Sequence, residues 1–123
     1  MDKIKTFKIE QKFSGTDGLY SYLLSNVEFI GESMGIRIEG DLEDRPFCIT
    51  GKEKVTERRI LFFASKGDFY ESLGELIVLA DAFDVDIIVF FVTRLSRAYE
   101  GPLGWLQRVC NEDTQVIVGE VEF

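Results

Sequence analysis

The sequence predicts a single α/β domain in which a mixed β-sheet is flanked by helices. Apolar residues recur with two periods, at every second position in some segments and at every third or fourth position in others. A helical segment also separates the two most apolar strand segments, residues 60–64 and 87–92, which predicts a parallel pair joined by a right-handed crossover. The chain of 123 residues has no internal repeat and no linker-like segment, so we expect one domain over residues 1–123.

The first half of the chain predicts a strand, a helix and three more strands. Charged and apolar residues alternate over residues 5–13, as in a half-exposed strand. Segments 36–39, 47–50 and 60–64 are expected to form an antiparallel meander, since polar, turn-rich residues separate them. Between the first strand and the meander, one helix ended by Gly35 is predicted by apolar residues at three- and four-residue steps: Leu19, Leu23, Val27, Ile30 and Met34.

The second half of the chain predicts a helix, a strand, a second helix and a final strand. Asp68 is the expected N-cap of the first of these helices, with Glu71 completing a capping box. Pro102 suits the first turn of the next helix, and the alternation over residues 115–123 predicts the last strand, interrupted by Gly119. The expected buried faces of the two helices are Phe69, Leu73, Leu76, Ile77, Ala80 and Phe83 in the first, and Leu103, Leu106 and Val109 in the second.

Composition excludes several kinds of chemistry. The chain has no histidine, which excludes imidazole-dependent catalysis, and its two cysteines cannot build a zinc site by themselves. Cys48 and Cys110 are far apart in sequence and are expected to be reduced thiols. No phosphate-binding glycine motif is present, so no cofactor is expected. The charged N-terminus and the short apolar runs predict a cytoplasmic protein with no membrane contact.

The charge distribution and the exposed positions predict a protein partner and weak or no autonomous binding of nucleic acid. The net charge is −8, whereas duplex binding normally requires a basic face. Four residues near the last helix are the candidate partner contacts, because three are basic and the tryptophan lies one position off the buried face: Arg94, Arg97, Arg108 and Trp105. The last strand, Gln115–Glu122, is predicted to be a sheet edge that pairs with a second copy to give a homodimer.

The order helix–strand–strand–strand–helix–strand resembles the core of the PD-(D/E)XK nuclease-like superfamily. Four segments are similar in order and spacing to bacterial domains of this group: LGEL at 73–76, FDVDIIV at 83–89, LGWL at 103–106 and VGEVE at 118–122. The resemblance covers residues 19–123. It implies a restriction-endonuclease-like αβββαβ core, with an N-terminal strand and a C-terminal helix–strand added, and a bacterial or phage nucleic-acid or defence context.

The same resemblance implies a degenerate active site. Active members hold Mg²⁺ with an Asp on the second core strand and a Glu-x-Lys on the third, where the lysine stabilises charge or activates water. Cys48 stands at the Asp position, and Ala64 and Lys66 stand at the Glu and Lys positions. A thiol and a methyl group do not replace two oxygen ligands, so we expect a non-catalytic interaction or regulatory domain in which Lys66 is at most an anion contact.

Two alternatives remain open from the residues. The first is a metal-dependent nuclease with relocated carboxylates, in which Glu75 or Glu71 joins an acid from residues 39–44 and Lys66 around Mg²⁺ or Mn²⁺, with Glu28 in support. The second is an acidic inhibitor that mimics nucleic acid, because residues 68–86 contain six acids and no base. Each of these acids also has an ordinary interpretation, as the polar face of a helix or as a charged turn.

Overall fold

The computed structural model describes residues 5–40, 42–45, 47–65, 69–93, 97–109 and 114–123. Within these residues, a six-stranded mixed sheet lies between two layers of helices, which confirms the predicted α/β class. In chain order the elements are β1 (Lys5–Lys12), α1 (Gly15–Ser25), α2 (Val27–Met34), β2 (Glu43–Arg45), β3 (Cys48–Lys52), β4 (Arg59–Ala64), α3 (Phe69–Phe83), β5 (Ile87–Val92), α4 (Arg97–Val109) and β6 (Gln115–Glu122).

The strand order across the sheet is β1-β6-β5-β4-β3-β2. The first four of these strands are parallel to one another, whereas β3 is antiparallel to both β4 and β2. The predicted parallel pair of β4 and β5 is confirmed, with Phe62 opposite Val89. Because α3 connects these two strands, it lies against the centre of the sheet.

Each face of the sheet carries its own hydrophobic core. On one face, α1 and α2 cover residues such as Phe62 and Phe91 with their buried side chains; we name these helices the α1/α2 layer. On the other face, α3 and α4 cover Leu61, Phe63 and Phe90; we name these helices the α3/α4 layer. The paired phenylalanines of β4 and β5 therefore fill both cores, because successive residues of a strand point to opposite faces.

The single helix predicted before Gly35 is two helices with a break at Asn26. The φ angle of Asn26 is −130°, outside the helical range, and its Nδ2 donates a hydrogen bond to the Tyr22 carbonyl at 2.9 Å. Asparagine side chains compete in this way with the helical hydrogen bonds of the backbone. Both helices still bury the predicted apolar stripe, and Gly35 is the expected left-handed C-cap with a φ of 74°.

The first strand of the meander was predicted at residues 36–39, and this prediction is wrong. Ile38 forms only an isolated bridge with Glu53, and the strand is instead β2, in a segment that reads as a polar turn. Because β2 is the last strand of the sheet, solvent covers one of its edges and much of its surface, and polar residues are tolerated there.

Two predictions for α3 and α4 also need correction. Ile77 was expected in the buried face of α3 but is exposed, and Leu76 takes the central buried position. Pro102 lies inside α4, which begins at Arg97, so the helix extends one turn further upstream than a first-turn proline implies. The missing N–H of Pro102 removes one hydrogen bond near the start of the helix. Asp68 and the side chains of Phe69 and Val109 lie outside the described residues.

The predicted edge strand, Gln115–Glu122, lies inside the sheet. This strand is β6, and it pairs with β5 on one side and with β1 on the other. The pairing with the N-terminal strand β1 was not foreseen, because a parallel contact between the two ends of a chain leaves no local sequence signal. The edge that was expected to form a homodimer is therefore already occupied. No helix in the described part of the chain is long and apolar enough to cross a membrane.

Candidate functional site

The strand positions that the resemblance assigns to a metal site lie on opposite faces of the sheet. Cys48 packs in the core beneath the α3/α4 layer, whereas Ala64 packs in the core beneath the α1/α2 layer, and both are fully buried. The structure does not bring these two side chains together. Lys66, the matching lysine of the motif, lies outside the described residues, as does Cys110.

The surroundings of Cys48 are those of a structural thiol. Cys48 is a free cysteine, and its burial raises the pKa of the thiol, an effect that Arg45 opposes only in part. Nearby, Ser65 Oγ donates a hydrogen bond to Ser72 Oγ at 3.1 Å and ties the end of β4 to α3. A protonated and buried thiol is a poor nucleophile and a poor metal ligand.

Tyr20 links the strand ends that carry Cys48 and Ala64. Its hydroxyl donates a hydrogen bond to the Phe47 carbonyl at 3.1 Å and accepts one from the Ala64 backbone N–H at 2.9 Å. Burial raises the pKa of Tyr20 to about 12, so the hydroxyl is neutral at physiological pH. Sequence reasoning missed this residue, because a tyrosine next to Leu19 on a helix gives no sign of contacts with two distant strands.

The relocated carboxylates of the nuclease alternative lie in separate places. Glu75 is exposed on α3, whereas Glu39 and Glu43 line a cleft at the C-terminal end of that helix. Glu28 is exposed on α2, across the sheet, and Asp41 lies outside the described residues. Among the described residues, no group of three or more acidic, histidine or cysteine side chains is placed to hold a metal ion.

The side chains that line the cleft at the C-terminal end of α3 contact one another. The Arg45 guanidinium lies 4.6 Å from the centre of the Phe83 ring, and its Nε donates a hydrogen bond to Thr50 Oγ1 at 2.8 Å. The same guanidinium pairs with Glu43. Arg59, also at this cleft, lies 3.9 Å from an Asp84 carboxylate oxygen. We interpret this cleft as a polar cluster that fixes β2 against α3.

A second groove, beside α3, has a different character. Its volume is about 530 Å³. Two of its apolar side chains are strongly exposed, with 67% of Val78 and 63% of Phe47 accessible to solvent. We name this feature the α3 groove and define it by its lining residues Phe47, Glu71, Gly74, Glu75, Val78 and Leu79.

Phe47 reaches the α3 groove through an unusual backbone conformation. Its φ angle is 72°, in the left-handed region that bulky residues rarely adopt. The hydrogen bond from Tyr20 to the Phe47 carbonyl holds this conformation from the core side. Strained residues persist only where the surrounding structure fixes them, and they are concentrated at functional sites. The sequence predicted residue 47 as the start of a core strand, but β3 begins one residue later and Phe47 is exposed.

The acids of residues 68–86 divide between two surroundings. Glu71 and Glu75 border the α3 groove. Asp86 Oδ2 accepts a hydrogen bond from the Arg59 backbone N–H at 2.9 Å, and Asp84 lies beside the same arginine. The C-terminal acids therefore help to hold the fold, while the N-terminal ones make the rim of an apolar groove negative.

The predicted partner contacts are only partly visible. Trp105 is 54% exposed on α4, which confirms the half-exposed position expected for it, and Arg108 is exposed on the same helix. Arg94 and the side chain of Arg97 lie outside the described residues. The two candidate contact residues that the structure describes thus belong to the same helical layer as the α3 groove.

Comparisons with models of protein families, with curated proteins and with solved structures find no match for this chain. The similarity to the PD-(D/E)XK group therefore stays a prediction.

Proposed function

We propose that this chain is a non-catalytic interaction domain whose α3 groove binds a partner protein. The observation that carries this proposal is the exposed phenylalanine at position 47, held in a left-handed conformation at the rim of an apolar groove. Val78 faces solvent in the same groove. Exposed apolar side chains around a concave surface are typical of protein-binding sites.

The charges around the groove favour a basic segment of the partner. Glu71 and Glu75 line the groove, and α3 contains one further acid, Asp81, and no lysine or arginine. Opposite charges across an interface steer association and select among partners. We therefore propose that the bound segment combines apolar anchors with lysine or arginine side chains. A net charge of −8 makes strong binding of nucleic acid unfavourable.

We further propose a PD-(D/E)XK-like core with a degenerate metal site, acting as a regulatory domain in a bacterial or phage nucleic-acid or defence system. The order of α2, β2, β3, β4, α3 and β5 is compatible with that core. Cys48 and Ala64 carry no carboxylate and lie on opposite faces of the sheet, which supports a non-catalytic role. A free, buried thiol at Cys48 fits the reducing environment of the cytoplasm.

The test uses a defined peptide that carries the proposed chemistry. An amphipathic peptide of about 18 residues, with leucines on one face and lysines on the other, is titrated against the protein by fluorescence anisotropy. A peptide with glutamates in place of the lysines controls for charge. Val78→Ser removes an apolar side chain from the groove, and Val55→Ser makes the same change at an exposed valine in the turn between β3 and β4.

We expect the lysine peptide to bind saturably and more tightly than the glutamate peptide. Val78→Ser should weaken its binding about tenfold, as expected for the loss of a buried valine side chain, while Val55→Ser should have no effect. Equal binding by both variants would overturn the proposed site. A sedimentation mass of two chains, lost in Val78→Ser, would instead assign the groove to a second copy of this protein.

A further inference from the structure

Gly74 is a helical glycine that the fold does not explain. It lies in the interior of α3, where glycine destabilises a helix relative to alanine. A Cβ atom added at this position would have no described atom within 4 Å. Its backbone has no positive φ angle that would require glycine. Neither packing nor backbone conformation among the described residues accounts for the missing side chain.

Two other glycines, Gly31 and Gly119, have clear packing reasons. A Cβ atom on Gly31 would lie 2.6 Å from the Ile36 carbonyl oxygen, and one on Gly119 would lie 2.7 Å from ring atoms of Phe7 and Phe91. At these positions the space is already occupied by the chain itself. At Gly74 the space is open and faces the α3 groove.

The residues that line the groove on α3 follow the spacing of a helix-packing seam. Positions 71, 74, 75 and 78 are separated by three- and four-residue steps, so they form one stripe along the helix. When two helices pack, their separation is set by the side chains at the point of contact, and glycine allows the closest approach. Gly74 lies within this stripe, with Glu71 on one side of it and Glu75 and Val78 on the other.

We infer that the partner segment binds as an α-helix packed along α3, with its backbone nearest to α3 at Gly74. This inference rests on the proposed function of the α3 groove. An extended segment would instead add to an exposed sheet edge, where backbone hydrogen bonds supply the affinity. The edges of the described sheet are β1 and β2, and neither strand lines the groove. The bound helix contacts Phe47 and Val78 through apolar side chains and Glu75 through a basic one.

The test compares two glycines that are both open to solvent. Gly74→Ala adds a methyl group in the groove, and Gly101→Ala adds one at a position of α4 that also has no described neighbour within 4 Å. Gly74→Ala should raise the melting temperature by about 3 °C, because alanine favours the helix. Gly101→Ala should raise it less, because Gly101 precedes Pro102 and the proline ring crowds a Cβ on the residue before it. Only Gly74→Ala should weaken binding of the lysine peptide, by about fivefold or more.

A second peptide separates a bound helix from a bound strand. It has the same composition as the lysine peptide, but its leucines and lysines alternate and therefore favour a strand. We expect the helical pattern to bind at least about tenfold more tightly and to gain helical circular dichroism on binding.

The outcomes distinguish this inference from the proposed function. If Val78→Ser weakens binding while Gly74→Ala does not, the groove binds its partner without the close helical approach, and the inference is wrong. Tighter binding of the alternating peptide would also overturn it. If neither Val78→Ser nor Gly74→Ala changes binding, the proposed function itself fails.

Discussion

The two helical layers of this domain differ in how completely the chain uses them. In the α1/α2 layer, Gly31 is required by the close approach of the Ile36 carbonyl. In the α3/α4 layer, Gly74 and Gly101 leave open space, and Trp105 is half exposed one turn after Gly101. Gly31 is therefore fixed by the packing of the chain itself, whereas Gly74 and Gly101 border space that the described residues do not fill.

The buried side chains of the layers show the same difference. Five residues of α1 and α2 are large, buried and part of one core: Leu19, Tyr20, Leu23, Ile30 and Met34. In α3 and α4, three large side chains are buried among those described, Leu76, Leu103 and Leu106, while Ile77 and Val78 are exposed. One strip of the α3 surface therefore packs against the sheet, while another strip is available to a partner.

The largest expected effect comes from emptying the α1/α2 layer. Leu23→Ala should lower the free energy of unfolding by about 2–5 kcal/mol, because it creates a cavity in a fully buried position. Val78→Ala in the other layer should change it by less than about 0.5 kcal/mol, as expected for an exposed site. Urea unfolding followed by circular dichroism measures both, and similar losses would contradict the difference between the layers.

The next effect sharpens the contrast between filled and open glycines. Gly119→Ala should destabilise the domain by about 1–3 kcal/mol, because its Cβ would lie 2.7 Å from ring atoms of Phe7 and Phe91. Those rings meet edge to face, with their centres 5.8 Å apart, and cannot both move freely. Gly74→Ala serves as the control, because a Cβ atom added there has no described neighbour within 4 Å. Equal stability of the two variants would show that the β1–β6 contact is looser than described here.

An effect of similar size is expected at the hydroxyl that fixes the rim of the groove. Tyr20→Phe should cost about 1–3 kcal/mol, because the buried Ala64 N–H then lacks its acceptor. The Phe47 carbonyl also loses its donor, so the lysine peptide should bind more weakly. Tyr22→Phe, on the same helix, is the matched control. Unchanged peptide binding in Tyr20→Phe would show that the hydrogen bond to Phe47 does not contribute to the binding site.

The same tyrosine gives a pH dependence of known sign. Burial raises the pKa of Tyr20 from 10.0 to about 12, so between these values the folded state binds more protons than the unfolded state. Its contribution to stability is therefore complete below about pH 10 and is lost as the pH rises towards about 12. Wild type should lose more stability than Tyr20→Phe between about pH 9 and about pH 11. Parallel losses in the two proteins would contradict this assignment.

The smallest expected effect concerns the charge at the rim of the groove. Glu75→Gln should weaken binding of the lysine peptide about two- to fivefold, the usual range for an exposed ion pair. Glu28→Gln makes the same change on α2, across the sheet, and should have no effect. The difference should shrink at high salt, because screening weakens exposed charge pairs. Equal effects of the two substitutions would show that the net charge of the protein, and not the position of Glu75, affects binding.

The sequence predicted those parts of the fold that depend on local pattern. The α/β class, the buried strand Ile87–Val92 and the Gly35 cap are confirmed, because periodicity and cap residues act over a few positions. The break at Asn26 was missed because it depends on a single polar side chain. The strand Glu43–Arg45 was missed because it is a short, polar strand at the edge of the sheet.

The candidate site was less predictable than the fold. The exposure of Trp105 was predicted from its position beside a buried helical face, while its contact with a partner stays a prediction. Phe47 was missed, because its exposure depends on a left-handed backbone and on a hydroxyl 27 residues away. Glu75 was identified as a candidate metal ligand, whereas its position favours a role at the rim of an apolar groove. Long-range contacts of this kind have no local signature.

The central claim, that the α3 groove is the binding surface, is tested most directly by mapping the bound lysine peptide with amide chemical shifts. Wild-type protein labelled with ¹⁵N is titrated with the peptide, and the shifts are placed on the structure. We expect the largest saturable changes in chemical shift at the amides of Phe47, Gly74 and Val78. Changes centred on Phe29 of α2, or on the β2–β3 edge near Lys52, would contradict it.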